Sequence, residues 1–332
     1  MTQDTSFVSG FVAVLGRPNV GKSTLINTFL GEKVSIVSPK PQTTRHRIHG
    51  MLNLPEAQIV LVDTPGFCKE ASPLHRAMRK SAGAAAADAD VNLVVCDIGT
   101  GRDGDISEAD HEVLRAAKAC GSHLLLALNK IDLLARKDAL LPWMARYAEA
   151  YAPTAMVPVC ARSGDGFDEL VQQLLKVLPQ APAMFPKDMH TDQAERFICA
   201  ELIREQLLYQ THEEVPHTCM VTIEVFEDGR ADVDDAAENT GTKEAVAAAA
   251  AKHTDRCYLE ARIYVERESQ KGIIIGKRGQ QIKSIGTVAR QRIGQLLGCR
   301  TDLRLTVHVD DHWTQKEQSL RRYGFYQEAQ HA

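Results

Sequence analysis

Residues 16–23, Gly-Arg-Pro-Asn-Val-Gly-Lys-Ser, carry two glycines, an amine and a hydroxyl at the spacing a polyphosphate cradle requires. Gly16 and Gly21 let the backbone approach phosphate, and the N–H groups of the turn through Asn19, Val20 and Thr24 point at the anion. Lys22 can reach the β- and γ-phosphates, while the Ser23 hydroxyl can ligate magnesium. Forty residues on, Asp63-Thr64-Pro65-Gly66 supplies a carboxylate that can hold magnesium through water and a Gly66 N–H that can sense the γ-phosphate. A third segment, Asn129-Lys130-Ile131-Asp132, reads a base. Asp132 can accept from both N1–H and N2–H₂ of guanine, whereas adenine would leave the carboxylate unpaired. Asn129 would tie this loop to the phosphate turn, and the Lys130 stem would lie along the base. Taken singly, the second and third segments are an ordinary turn and an ordinary polar loop. Their order in one chain gives them meaning.

The flanking residues supply the scaffold such groups need. Residues 11–15 (Phe-Val-Ala-Val-Leu) read as a buried strand and residues 22–30 as a helix, so the phosphate turn joins strand to helix. Residues 59–62 form a second apolar strand that delivers Asp63 to the same sheet edge, and residues 123–128 a third that ends at Asn129. The expected fold is α/β, a P-loop domain over residues 8–178 with a mostly parallel sheet, closed by a helix at residues 167–178. Residues 179–190 hold three prolines and no sustained period, which predicts an interdomain linker.

A second, α+β domain is expected over residues 191–332. Asp192 can cap a helix running to about Tyr209, with Phe197, Ile198, Leu202, Ile203 and Leu207 as its buried stripe. Residues 219–226 and 258–265 alternate as paired strands. They are followed by a Gly-rich loop at 272–279, a helix from Gln281 and a strand at 303–309. Gly276-Lys277-Arg278-Gly279 would clamp a single-stranded nucleic-acid backbone, the two glycines permitting close approach and Ile273 to Ile275 walling the base groove. The net charge of the chain is −4, yet residues 271–300 contain seven Lys or Arg, Lys283 among them, and no Asp or Glu. A local basic surface of this kind is the electrostatic footprint of nucleic acid. Residues 227–255, acidic and then Ala-rich, are expected to be a disordered insertion.

The nucleotide segments resemble the small regulatory GTPases of the translation-factor branch, and Thr43-Thr44-Arg45 fits their first switch. Over nearly its whole length the chain is similar to the Era family, in which a P-loop GTPase domain precedes a type II KH domain. The resemblance implies a GTP-hydrolysing switch that uses GTP/GDP and Mg²⁺ and binds the single-stranded 3′ region of 16S ribosomal RNA. It further implies a role in small ribosomal subunit assembly, a monomer, and peripheral contact with the inner membrane. By the same resemblance Thr44 completes the magnesium shell, Asn19 and Thr43 hold a potassium ion beside the phosphates, and the Ala161 N–H bonds guanine O6. Potassium there would supply the positive charge that an arginine finger supplies elsewhere. Cys160 stands where the family carries serine. Phe67 follows Gly66 in place of a water-orienting glutamine, so slow intrinsic hydrolysis is expected.

At 332 residues with 44% apolar content, two domains with sizeable cores are expected. No stretch approaches about 20 apolar residues and no signal-like N-terminus is seen, which predicts a cytoplasmic protein. Eight cysteines without close spacing argue against structural zinc and suit reduced thiols. His46 and His49 form no ligand constellation and are read as surface or RNA-facing. Two rival functions stand beside the switch: a binding protein in which nucleotide is an affinity or folding ligand, and a GTPase of transfer-RNA modification. The latter lacks a second active centre in residues 191–332.

Overall fold

Residues 91–97, Val-Asn-Leu-Val-Val-Cys-Asp, are apolar on both faces, and such a run is stable as a strand only with layers on either side. The structure is a computed structural model that describes residues 7–67, 72–98, 105–134, 136, 140–229 and 256–326. In it the described residues form two compact units, one up to Gln193 together with the segment from Gly324, the other from Ala194 to Tyr323.

The first unit runs β1 (Val8–Leu15), α1 (Lys22–Leu30), β2 (Ile48–Leu54), β3 (Ala57–Asp63), α2 (Pro73–Asp88), β4 (Val91–Asp97), α3 (Glu108–Ala119), β5 (His123–Asn129), α4 (Leu140–Tyr151), β6 (Ala155–Pro158) and α5 (Phe167–Leu175). Its sheet has the order β2-β3-β1-β4-β5-β6, with β2 antiparallel to β3 and the other pairings parallel. Alternation along the strands splits the core. Leu15, Val94, Cys96, Leu126 and Leu128 pack beneath α2, α3 and α4, while Val14, Leu61, Leu93, Val95 and Ala127 pack with Leu25, Ile26, Leu170 and Leu174 of α1 and α5. Within β4 the amide nitrogen of Asn92 is paired: Nδ2 donates to Ala86 O at 3.1 Å and to Ser122 Oγ at 2.7 Å. A parallel sheet sends its strand ends to one edge, and Asp63, Asp97 and Asn129 are the closing residues of β3, β4 and β5.

The segment expected to be a plain linker is fastened to this unit. Gln58 of β3 accepts from the Met184 and Phe185 N–H groups at 2.8 and 2.9 Å and donates to Phe185 O at 2.8 Å. Val8 bridges Gln180. Buried amides must be satisfied, and this one is satisfied by the chain 126 residues downstream.

The second unit runs α6 (Glu195–Gln210), α7 (Val215–Thr218), β7 (Met220–Glu227), β8 (Arg256–Val265), α8 (Glu268–Ile275), α9 (Gln280–Leu297), β9 (Arg300–Val309) and α10 (Glu317–Arg322). The pair β7 and β8 is antiparallel, whereas β8 and β9 are parallel. Ile203 and Leu207 of α6 and Ile285, Ala289 and Ile293 of α9 pack on the alternating buried residues Leu259, Ala261 and Ile263 of β8.

Several expectations are corrected here. Asp192 does not cap α6, whose N-cap is Ala194 without a side-chain hydrogen bond; its carboxylate instead meets His49 Nδ1 at 2.6 Å. The helix expected to reach residue 178 ends at Leu175. Residues 272–275, expected in the Gly-rich loop, are the last turn of α8, and Ile274 is buried in the core rather than walling a groove. The cysteines are distant in sequence, but Cys257 and Cys299 bring their sulfurs to 3.0 Å, and burial pushes the Cys257 thiol pKa up. The expected insertion lies, from residue 230 to 255, outside the described residues. Among the described residues there is no group of ligand side chains that could hold a metal through His, Cys, Asp and Glu alone, and no helix is long and apolar enough to cross a membrane.

Candidate functional site

The turn between β1 and α1 has left-handed backbone at Asn19 (φ 64°) and Gly21 (φ 103°). A Cβ at Gly21 would collide with the Asn129 amide, so the phosphate turn and the loop after β5 meet only because position 21 has no side chain. Helices α2 and α3 are capped by the hydroxyls of Ser72 and Ser107, whereas α1 begins without a side-chain cap and without an acidic residue in its first turn. Its first N–H groups are therefore suited to an anion. Lys22 is buried and folded back, donating to Gly16 O at 3.1 Å and Arg17 O at 3.2 Å.

Three oxygens from separate elements converge beside it. Ser23 Oγ donates to Asp63 Oδ2 at 2.8 Å, Thr44 Oγ1 donates to the same oxygen at 3.1 Å, and the two hydroxyls are 2.8 Å apart. Hard oxygen donors clustered next to a phosphate cradle fit magnesium. Burial pushes the Asp63 carboxyl above its ordinary range, although the Lys22 charge and the hydroxyls of Ser23, Ser35 and Thr44 pull the other way. A divalent cation would reverse the balance by favouring the carboxylate. The open cleft here is lined by residues including Asn19, Ser23, Thr24, Gln42, Thr44 and Gly66.

Thr43 also lines this cleft, but its hydroxyl donates to Lys40 O at 2.8 Å and meets Ser38 Oγ at 2.8 Å. Asn19 Nδ2 donates to Pro39 O at 2.9 Å. Both side chains thus fasten the segment before Thr44. Phe67 is buried against the α2 and α3 core, with the Arg79 guanidinium 5.9 Å from its ring centre.

At the other end Asn129 ties three segments: its Nδ2 donates to Val20 O at 2.7 Å and its Oδ1 accepts from the Ala161 N–H at 2.9 Å. The Ala161 N–H, expected at guanine O6, is thus directed at Asn129, because the loop after β6 closes over the end of β5. Asp132 is exposed and accepts from Cys160 Sγ at 3.3 Å, so the thiol substitutes for a hydroxyl as donor. Lys130 has left-handed backbone (φ 68°) and donates to Asn19 O at 3.1 Å and Asp97 Oδ2 at 2.7 Å. Asp97 was missed by motif reading, yet it closes a buried apolar strand as Asp63 and Asn129 do.

In the second unit Gly276, Arg278 and Gly279 all have positive φ, and a Cβ at Gly276 would overlap Gln281. Lys277, Arg278 and Lys283 are exposed around this turn. Of the seven basic residues expected to form the footprint, Arg292 pairs with Glu205 and Lys271 with Glu268 at 3.8 Å, so the footprint is narrower than the sequence count.

The family model for 50S ribosome-binding GTPases matches residues 11–130 and that for KH domains matches residues 239–314. The GTPase Era of Syntrophus aciditrophicus is 41% identical over 96% of this chain and 95% of its own. That of Geotalea uraniireducens is 42% identical over 97% and 99%. Among solved structures, an Era variant from Aquifex aeolicus bound to GDP and AlF₄⁻ aligns with a TM-score of 0.85 at 36% identity, covering 97% of this chain and all of that one. An Era in complex with MgGDPNP and nucleotides 1506–1542 of 16S ribosomal RNA aligns with a TM-score of 0.86 at the same identity and coverage. A P-loop domain and a KH domain in this order, matched end to end at such identity, establish that the chain belongs to the Era family of GTPases.

Proposed function

We propose that the protein binds and hydrolyses GTP and, through its KH domain, binds the 3′ region of 16S ribosomal RNA, assisting assembly of the small ribosomal subunit. The observation that carries the catalytic half is the convergence of Ser23, Thr44 and Asp63 oxygens beside a buried Lys22. Ser23 and Thr44 would hold magnesium directly and Asp63 through water, which supplies neutralisation of charge on the β- and γ-phosphate oxygens. Lys22 would exchange its loop carbonyls for those oxygens, and the Gly66 N–H would report the γ-phosphate. Asp132 would accept from guanine N1–H and N2–H₂, with Asn129 holding its loop to Val20.

Engagement of Thr44 would order residues 36–44, and that ordering would raise affinity for RNA until hydrolysis releases it. Asn19 and Thr43 would hold potassium next to the phosphates, with the amide oxygen of Asn19 as the atom suited to a cation. Gly276 to Gly279 would clamp single-stranded backbone with Lys277, Arg278 and Lys283 neutralising phosphates. Family membership and the Era complex with 16S nucleotides support the RNA assignment. The protein is expected to act in the cytoplasm as a monomer.

One observation favours a second reading, in which nucleotide is mainly an affinity ligand: the residue directly after Gly66 is Phe67, whose buried apolar ring cannot orient water. Whether RNA alters turnover, and nucleotide alters RNA affinity, separates the two. Lys22→Ala tests the site itself: loss of turnover together with weakened nucleotide binding supports it, and undiminished hydrolysis means the site is misassigned.

A further inference from the structure

Asp97 ends β4, and the parallel register of β4 with β5 sets it directly beside Asn129. The Ile98 N–H donates to Asn129 O at 3.3 Å, which fixes the chain on either side of the carboxylate. Oδ2 of Asp97 lies 2.7 Å from Lys130 Nζ and 3.7 Å from an Arg17 guanidinium nitrogen. The Asp97 side chain is 5% exposed, that of Arg17 17% and that of Lys130 34%. One buried carboxylate thus bridges two cations, one from the phosphate turn and one from the base-reading loop.

The contacts continue on both sides. Arg17 Nε lies 3.3 Å from Asp110 Oδ1 in the first turn of α3, and Lys130 Nζ returns to the phosphate turn at Asn19 O, 3.1 Å away. Arg17, Asp97, Lys130 and Asn19 therefore close a ring that joins the two ends of the site.

Holding a lysine in one rotamer costs side-chain entropy, and its left-handed backbone adds a further cost. A group ordered before the ligand arrives loses less on binding. Without the carboxylate, two like charges would face each other across a partly buried gap, and Lys130 would turn to solvent. We propose that Asp97 is a positioning residue for guanine nucleotide binding, which presets the phosphate turn and the base-reading loop relative to one another through Arg17 and Lys130. This rests on the reading that residues 16–23 and 129–132 hold the nucleotide. Because Asp97 lies outside the Ser23, Thr44 and Asp63 cluster, its effect falls on affinity for GDP and GTP alike, and not on the chemical step.

The isosteric Asp97→Asn tests this, with fluorescent GDP and a non-hydrolysable GTP analogue as probes. We expect Kd for both to rise about tenfold through faster dissociation and KM for GTP to rise alongside. The value of kcat should stay within about twofold, with Kd read under conditions where unfolding curves show the variant to be folded. In combination with Lys130→Met, Asp97→Asn should add little, since both break the same bridge. Unchanged Kd, a fall in kcat without a change in KM, or full additivity with Lys130→Met would overturn the proposal. If Asp97→Asn does not fold, the pair Arg17→Gln and Lys130→Met reads the same bridge, with non-additive losses supporting it and additive losses overturning it. Asp132→Ala separates the two readings. If it keeps full guanine affinity, the site reading itself is wrong; if it loses affinity while Asp97→Asn does not, only the bridge is wrong.

Discussion

Ser23 and Asp63, forty positions apart in the chain, meet in a 2.8 Å hydrogen bond between the first turn of α1 and the end of β3. The Asp63 oxygen that accepts from Ser23 also accepts from Thr44, so the phosphate turn, the first switch segment and the second strand end share one carboxylate atom. Asp63→Asn keeps the shape and removes the charge. We expect kcat to fall by about 100-fold or more and the magnesium concentration for half-maximal activity to rise, in a hydrolysis assay titrated with magnesium. Unaltered magnesium dependence would show that the cluster is structural.

The basic turn of the KH domain yields a separable prediction. Replacing Lys277 and Arg278 with Asp should abolish binding to a single-stranded RNA while basal GTP hydrolysis is retained, because neither residue belongs to the nucleotide unit. For single replacement by Gln, the slope of log affinity against log salt should shrink by about 0.7 for each RNA phosphate that is no longer neutralised. Filter binding across a salt series reads both, and an unchanged slope would remove these residues from the interface.

Arg204 is fully buried in α6 and paired with Glu201 at 2.5 Å, while the neighbouring Glu205 pairs with Arg292 of α9. Taking one partner from such a pair leaves an uncompensated buried charge. Arg204→Ala should therefore destabilise the KH unit by about 3–5 kcal/mol, seen as an earlier transition in urea. A shift of under about 1 kcal/mol would mean that water reaches Glu201.

Asp192 carries a pH dependence. Burial alone would raise its pKa, but hydrogen bonds from His49 and Gln193 outweigh this and hold the carboxyl below its ordinary range. A depressed folded-state pKa adds stability that is complete above the unfolded value, about 3.9, and is lost as pH falls through the folded value. Asp192→Asn should accordingly be less stable than the parent above pH ~4, with the gap closing below it. A gap that persists unchanged into acid would assign the difference to packing. Denaturant titrations at a series of pH values make the comparison.

The parts of this molecule that sequence discloses are those fixed by short-range rules. Helix α1 occupies residues 22–30 as its turn and apolar spacing predict, and Asp63 and Asn129 sit at strand ends because buried apolar runs stop there. What escapes such reading was settled by distant partners. Gly-Ile-Ile-Ile-Gly reads as part of a Gly-rich loop, since glycine and β-branched residues disfavour helix, yet burial of Ile274 in the KH core draws it into α8. Gln58 fastens residues 184–185 across 126 positions, and no local pattern announces this. Ala161 is occupied by Asn129, and Asp97 gathers Arg17 and Lys130, through tertiary contacts that motif spacing does not encode.

Coupling between the two activities is the central claim, and binding linkage must be reciprocal. The most direct test is steady-state GTP hydrolysis with and without a short single-stranded RNA copied from the 3′ end of 16S ribosomal RNA, paired with RNA affinity in GDP and in a GTP analogue. We predict that the RNA raises turnover and that the GTP analogue raises RNA affinity. If both ligands bind but neither alters the other, the switch is contradicted and nucleotide is a ligand only.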